Sequence, residues 1–121
     1  MRISYSESSL ELRDSISTDW SNFLQITFPN NNWIYIPNIG KNRVIKYCQN
    51  LGINSLILTG GDDFGKFKIR DETELELLSW AERLKMPLIG ICRGMQLMGI
   101  REGVKLKKSY GHVKKMHKVN G

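Results

Sequence analysis

The chain has 121 residues, of which 40% are apolar and 25% charged, with a net charge of +6. That length suits one compact domain around one core, and the composition is that of a globular chain, not a disordered one. No apolar run reaches the roughly 18 residues of a membrane helix, and Met1 to Thr18 lacks the apolar centre of a signal peptide, so a cytoplasmic location is expected.

Arg2 to Tyr5 reads as a first strand, and a helical pattern runs from about Asp14 to Ile26, with Ile16, Trp20, Phe23 and Leu24 on one face. Pro29-Asn30-Asn31-Asn32 forces a turn. Trp33 to Ile36 alternates aromatic and β-branched residues and reads as a second strand, with a helix from Asn42 to Leu51 behind it and Gly52 as its stop. Ser55 to Thr59 is a short continuous apolar run, as expected of a parallel strand covered on both faces.

The next helix is expected to begin near Asp71, with that carboxylate as cap and Glu74 three residues on in capping-box position. Leu75, Leu78, Ala81 and Leu84 give it an inward face, and Pro87 marks its end. Leu88 to Ile91 reads as another buried strand, followed by a helix from about Arg93 to Arg101 and weaker strands around Val104 to Leu106 and His112 to Val119. Strand and helix alternate without a linker or internal repeat, which predicts an α/β layer fold with a largely parallel sheet.

Cys48 and Cys92 make neither a disulfide framework nor a Cys-x-x-Cys metal or dithiol site, so each is read alone. Cys48 shares helical spacing with Val44, Tyr47 and Leu51 and reads as a buried core thiol. The last stretch concentrates Arg101, Lys105, Lys107, Lys108, Lys114, Lys115 and Lys118. Such a cluster suits a phosphorylated small molecule, nucleic acid or a plain solvated face, but no nucleic-acid motif or interleaved stacking aromatics accompany it.

Ligands of open α/β sheets settle outside the carboxyl ends of the strands, and two such ends carry chemistry here. After Thr59 comes Gly60-Gly61-Asp62-Asp63, whose backbone can approach a ligand closely. After Ile91 comes Cys92, and the order strand, Cys92, helix resembles a nucleophile elbow, with Gly90 and Gly94 relieving crowding. A helix N-terminus favours a thiolate, so Cys92 is the candidate nucleophile. The backbone amides of Arg93 and of Gly60 or Gly61 are candidate donors to the oxyanion formed when a thiolate attacks an amide. Gln96, one helical turn beyond Cys92, is placed to hold the substrate's polar end. The bare Gly-x-Cys-x-Gly pattern fits equally a tight turn around a buried cysteine; the pairing with the Thr59-Gly60-Gly61 loop favours the nucleophile.

These motifs resemble the class I glutamine amidotransferases, and within them the γ-glutamyl hydrolase branch, the C26-type peptidases. Gly90-Ile91-Cys92-Arg93-Gly94-Met95-Gln96, with arginine after the cysteine, is similar to the hydrolases of γ-glutamyl amides, and Thr59-Gly60-Gly61-x-Asp63 and Arg70-Asp71-x-x-Glu74 point the same way. Arg13-Asp14 with Trp20, Phe23 and Leu24, and Gly111-His112-Val113 with His117, resemble bacterial surface-polysaccharide enzymes that hydrolyse γ-glutamyl-CDP-amidate.

The resemblance implies a flavodoxin-like fold, thioester formation on Cys92 and release of glutamate by water, with neither cofactor nor metal. It adds Asp63, Arg13 and His112 to Gln96 as substrate-binding residues. It also implies a downstream His-x-Glu pair, which the sequence does not contain. The chain is therefore expected to be the N-terminal portion, residues 1–121, of a single such domain, inactive alone and prone to associate through an incomplete core. The expected partner is a small γ-glutamyl amide, nucleotide-linked in the narrower reading, with no nucleic acid or membrane. His112 and His117 are read as structural or substrate-wall histidines, not bases. Val104 stands where the family has a glycine. A non-catalytic binding protein of the same fold is the competing reading.

Overall fold

The computed structural model describes residues 1–108. Its element order is β1 (Arg2–Ser6), β2 (Glu11–Ser15), α1 (Asp19–Thr27), α2 (Lys41–Asn50), β3 (Leu56–Leu58), α3 (Lys68–Leu84), β4 (Leu88–Gly90) and α4 (Arg93–Arg101). The α/β class follows directly. Parallel pairing, expected for most of the sheet, is confined among the described residues to β3 and β4, while β1 and β2 form a separate antiparallel hairpin. No helix among these residues is long and apolar enough to cross a membrane.

The hairpin corrects the expected helix from Asp14. Residues 11–15 pair with β1 in the register Arg2↔Ser15 to Ser6↔Glu11, and α1 starts only at Asp19, whose amide donates to Ser17 Oγ at 3.3 Å. Ile16 had extended the helical spacing backwards across this boundary. On α1, Leu24 is buried and Trp20 and Phe23 meet edge to face at 5.6 Å between ring centroids. The expected strand at Trp33 to Ile36 forms no ladder. Its side chains pack instead: Tyr35 Oη shares a 2.9 Å hydrogen bond with Ser21 Oγ, and Ile36 lies against the core.

Asn38 joins the hairpin to the layered part of the molecule. It is buried; its amide donates to Asp14 Oδ2 at 2.8 Å, and its Nδ2 donates to Asp14 Oδ1 at 2.5 Å and to the Met1 carbonyl at 3.0 Å. Two residues on, the Gly40 amide donates to Thr73 Oγ1 at 2.8 Å, so this segment also holds α3.

The main core lies between α2, α3 and the parallel pair and comprises Val44, Cys48, Leu56, Leu77, Trp80 and Ala81. Val44 and Cys48 are 0% exposed, as the helical spacing predicted, and burial raises the Cys48 thiol pKa. A second cluster of Leu58, Leu78 and Leu97 packs α4 and α3 on the end of β3. β3 and β4 align Leu56↔Leu88, Ile57↔Ile89 and Leu58↔Gly90. Leu56 and Leu58 face these clusters, and with Ile57 and Ile89 they also line a cavity of about 1040 Å³ that touches Trp20, Trp33 and Tyr35.

Two helix boundaries differ from expectation. The α3 helix begins one turn early, at Lys68 after Phe67, and no side chain caps it, so Asp71 and Glu74 do not form a capping box. Leu84 is 59% exposed because α3 ends there, with Lys85 left-handed at φ 52° and the Met86 amide donating back to Ala81. The expected strand at Val104 to Leu106 does not form: these residues follow the end of α4 without regular structure. The amides of Gly103 and Val104 donate to the carbonyls of Ile100 and Gly99 at 3.0 and 2.8 Å, a Schellman closure, so Val104 seals the helix. His112 to Val119, the last expected strand, lies outside the described residues.

Two stability predictions follow from the hairpin junction. Asp14→Ala strips the Asn38 backbone amide of its acceptor and leaves its Nδ2 with the Met1 carbonyl alone, and should cost about 1–3 kcal/mol, read as a lower urea midpoint with unchanged slope. The Met1 amine is pushed from 8.0 down to about 6, first by burial and then by Arg70, with Asp14 opposing. The folded chain thus binds this proton less readily than the unfolded one. Its penalty is absent above pH 8, grows as pH falls towards 6 and is complete below, at up to about 3 kcal/mol. Urea midpoints of the chain with a free Met1 amine should therefore rise from pH 6 to 8, and Nα-acetylation should flatten that rise.

Candidate active site

The Ile91 amide donates to the Leu58 carbonyl at 2.9 Å and extends the parallel ladder one step past β4. The backbone then turns abruptly. Cys92 has φ 53° and ψ −109°, a conformation that crowds any Cβ-bearing residue and costs of order 1–3 kcal/mol. It stands immediately before α4, whose first turn closes through Gly94 N to Ile91 O and Gln96 N to Cys92 O, both at 3.0 Å. Strand, strained cysteine and helix together have the form of a nucleophile elbow.

Two glycines make so sharp a turn sterically feasible. A Cβ on Gly94 would stand 2.7 Å from the Leu58 carbonyl carbon, and one on Gly90 would stand 2.6 Å from Met98 Sδ and 2.7 Å from the Met95 amide nitrogen. The helix therefore rests directly on the strand backbones. Cys92 is exposed, unlike Cys48, which removes the reading of a buried turn cysteine.

The loop after β3 reaches the same place. A Cβ on Gly60 would lie 3.5 Å from Cys92 Cβ and 3.8 Å from its Sγ, so Gly60 flanks the thiol. Gly61 follows at φ 142°. Arg93 is the first residue of α4, where an amide has no intrahelical acceptor. The structure thus gathers Cys92, Gly60 and Arg93, with Gly61 next in the chain.

The remaining candidates are more dispersed. Gln96 is half-buried on α4, one turn beyond Cys92. Asp63 is exposed, its carbonyl accepting the Lys66 amide at 3.3 Å. Arg13 lies on the exposed hairpin, where its guanidinium donates to Glu11 at 2.6 Å and Ser9 at 2.7 Å. His112 is outside the described residues. The large cavity beside Ile57 and Ile89 does not include Cys92 in its walls.

Beneath the elbow lies a cluster of four buried charges whose functional place the sequence did not reveal. Arg70 Nε donates to Glu74 Oε1 at 2.8 Å, and the Arg93 guanidinium pairs with both Asp71 and Glu74. Asp71 also accepts the Gly65 amide at 2.9 Å. These four residues are 1–7% exposed. Burial lowers the pKa of both arginines, and in Arg93 the neighbouring Arg70 charge adds to the effect. Two cations and two anions compensate one another; removing one member of such a set typically costs about 3–5 kcal/mol. The Arg70-Asp71-x-x-Glu74 spacing signalled only the Arg70–Glu74 pair, since those two share a helix face.

Thiol reactivity tests this geometry. Iodoacetamide near neutral pH should label Cys92 roughly tenfold or more faster than Cys48, because one thiol is accessible and the other is buried with a raised pKa. Equal labelling, read by mass spectrometry of digests, would be incompatible with the exposed elbow.

The family model described as Peptidase C26 matches residues 31–120, which include both β3 and β4, the Gly60-Gly61 loop, the charge cluster and Cys92. No match was found among the curated proteins or the solved structures. The matched span covers most of the chain, and by it the chain belongs to the Peptidase C26 family.

Proposed function

We propose that this chain is the nucleophile-bearing portion of a γ-glutamyl amide hydrolase of the class I glutamine amidotransferase type, built on a flavodoxin-like domain. The observation that carries this reading is the exposed, strained Cys92 at φ 53° between β4 and α4, with Gly60 against it. Membership of the Peptidase C26 family supports hydrolase chemistry.

In the proposed reaction Cys92 Sγ attacks the γ-amide carbonyl carbon, and the carbonyl electron pair moves onto oxygen. The amides of Gly60 or Gly61 and of Arg93 receive that oxyanion, a contribution commonly worth about 3–4 kcal/mol per donor. Collapse expels the amine, which needs a proton, and leaves a γ-glutamyl thioester. Water then attacks the thioester, releasing glutamate and restoring the thiol. Gln96 and Asp63 are proposed to hold the polar end of the substrate. A reducing cytoplasm would keep Cys92 free.

General acid-base assistance typically contributes 10² to 10⁴-fold and requires a histidine held by a carboxylate. The 121 residues contain no His-x-Glu. Glutamate release from a γ-glutamyl amide by this chain alone is therefore expected to be slow, roughly 10²-fold or more below a chain joined to a relative's His-x-Glu segment. Cys92→Ala should abolish both activities. Robust Cys92-dependent turnover by the 121-residue chain would instead make His112 or His117 the base. The narrower substrate, a nucleotide-linked γ-glutamyl amide met by Arg13, His112 and the basic end, requires γ-glutamyl-CDP-amidate to be cleaved in preference to γ-glutamyl-GABA. Equal cleavage would remove the nucleotide from the reading and leave the γ-glutamyl class standing.

A further inference from the structure

Arg70 reaches beyond its ion pair. While Nε holds Glu74, Nη2 donates to the Gly60 carbonyl at 2.9 Å and to the Thr59 carbonyl at 3.4 Å. Nη1 is buried without a hydrogen-bond partner and faces Gly61, where a Cβ would stand 3.1 Å from the guanidinium carbon. The guanidinium therefore packs closely against the loop that flanks Cys92, and the absence of a side chain on Gly61 lets it do so.

In a planar trans peptide the carbonyl of one residue and the amide of the next point in opposite directions. Fixing the Gly60 carbonyl towards Arg70 turns the Gly61 N–H away from it. Across the same loop, Gly60 abuts Cys92. Arg93, the other oxyanion candidate, is anchored through its side chain to Asp71 and Glu74, the second of which also binds Arg70. One buried charge cluster thus holds the peptide units bearing both donors.

We propose that Arg70 is a positioning residue that aims the Gly61 amide at the oxyanion, with Glu74 coupling it to Arg93. The proposal rests on the elbow acting through an acyl transfer to Cys92. Its removal should weaken attack on a carbonyl, where negative charge develops on oxygen, while sparing displacement at a saturated carbon, where no oxyanion forms.

The test compares two reactions of Cys92 in the full 121-residue chain. With p-nitrophenyl acetate the thiolate adds to the ester carbonyl, the electron pair moves to oxygen, and collapse releases p-nitrophenolate and leaves an acetyl thioester. With iodoacetamide the thiolate displaces iodide and forms a thioether. In Arg70→Gln the acylation rate should fall roughly tenfold or more, towards the 10² to 10³-fold associated with a lost oxyanion donor, with alkylation within about twofold of the parent. Arg70→Lys keeps a cation against Glu74 but one ammonium cannot replace the fork that spans Glu74 and the Gly60 carbonyl, so it should show the same selective loss in a folded chain.

Parallel loss of both reactions, unchanged acylation, or loss of the fold in both variants would assign Arg70 to stability alone and overturn the proposal. A parent chain that acylates no faster than a free thiol of equal alkylation rate would overturn it too. The ester carries no γ-glutamyl group, and its leaving group departs without a proton. A wrong γ-glutamyl assignment would show as failed hydrolysis of γ-glutamyl amides and leave this comparison intact.

Discussion

The buried set of Arg70, Asp71, Glu74 and Arg93 is the constraint on which the rest of the elbow region depends. It links the start of α3, the start of α4 and the loop after β3 through directed hydrogen bonds and ion pairs. Taking four charges out of water is expensive, and an apolar set of similar volume is often as stable or more so. Stability alone therefore gives a weak account of this arrangement. What an apolar set would lack is direction: a guanidinium fork fixes carbonyl oxygens and carboxylates at defined angles. Here the directed groups are the peptide of Gly60 and the first residue of α4.

The strain at Cys92 has to be resisted by something, and β3 and β4 are poor candidates, being three residues each. The resistance comes from contact. Gly90 and Gly94 bring α4 onto the backbone of β3 and β4, where Leu97, 1% exposed, fills the gap beside Leu58 and Leu78. Burying such leucines stabilises by about 1.5–3 kcal/mol each, enough to offset backbone strain of about 1–3 kcal/mol. The helix is thus both the cost and the support of the turn.

Local features were legible in the sequence where a short pattern decides them. Cys48 and Val44 fell on the inner face of α2, the runs at Leu56 and Leu88 became the parallel pair, and Gly90 and Gly94 announced the turn at Cys92. Features set by distant partners were not. Asp71 and Glu74 have the residue types of a capping box, but their partner Arg93 lies about two secondary-structure elements away, and no local rule reveals it. Ile16 continued a helical spacing because apolar residues near a boundary serve the core in either conformation, while the pairing of Glu11–Ser15 depends on β1. Trp33 to Ile36 had strand-like residues, and side-chain packing with Ser21 and the core took the place of a ladder.

The parallel pair is covered unequally. Leu56 and Leu58 are buried under helices, whereas Ile89, across from Ile57, is 48% exposed beside the large cavity. Parallel strands in α/β proteins are ordinarily covered on both faces, so this side of the layer leaves apolar surface in contact with water. The elbow projects from the carboxyl end of that same pair and is secured from the covered side, by α3 and α4. Cover added over Ile57 and Ile89 would stabilise the strands by removing that apolar surface from water. The turn at Cys92 is held by Gly90, Gly94 and the packing of Leu97 on α4, while the open face of the strand pair awaits whatever shields two isoleucines.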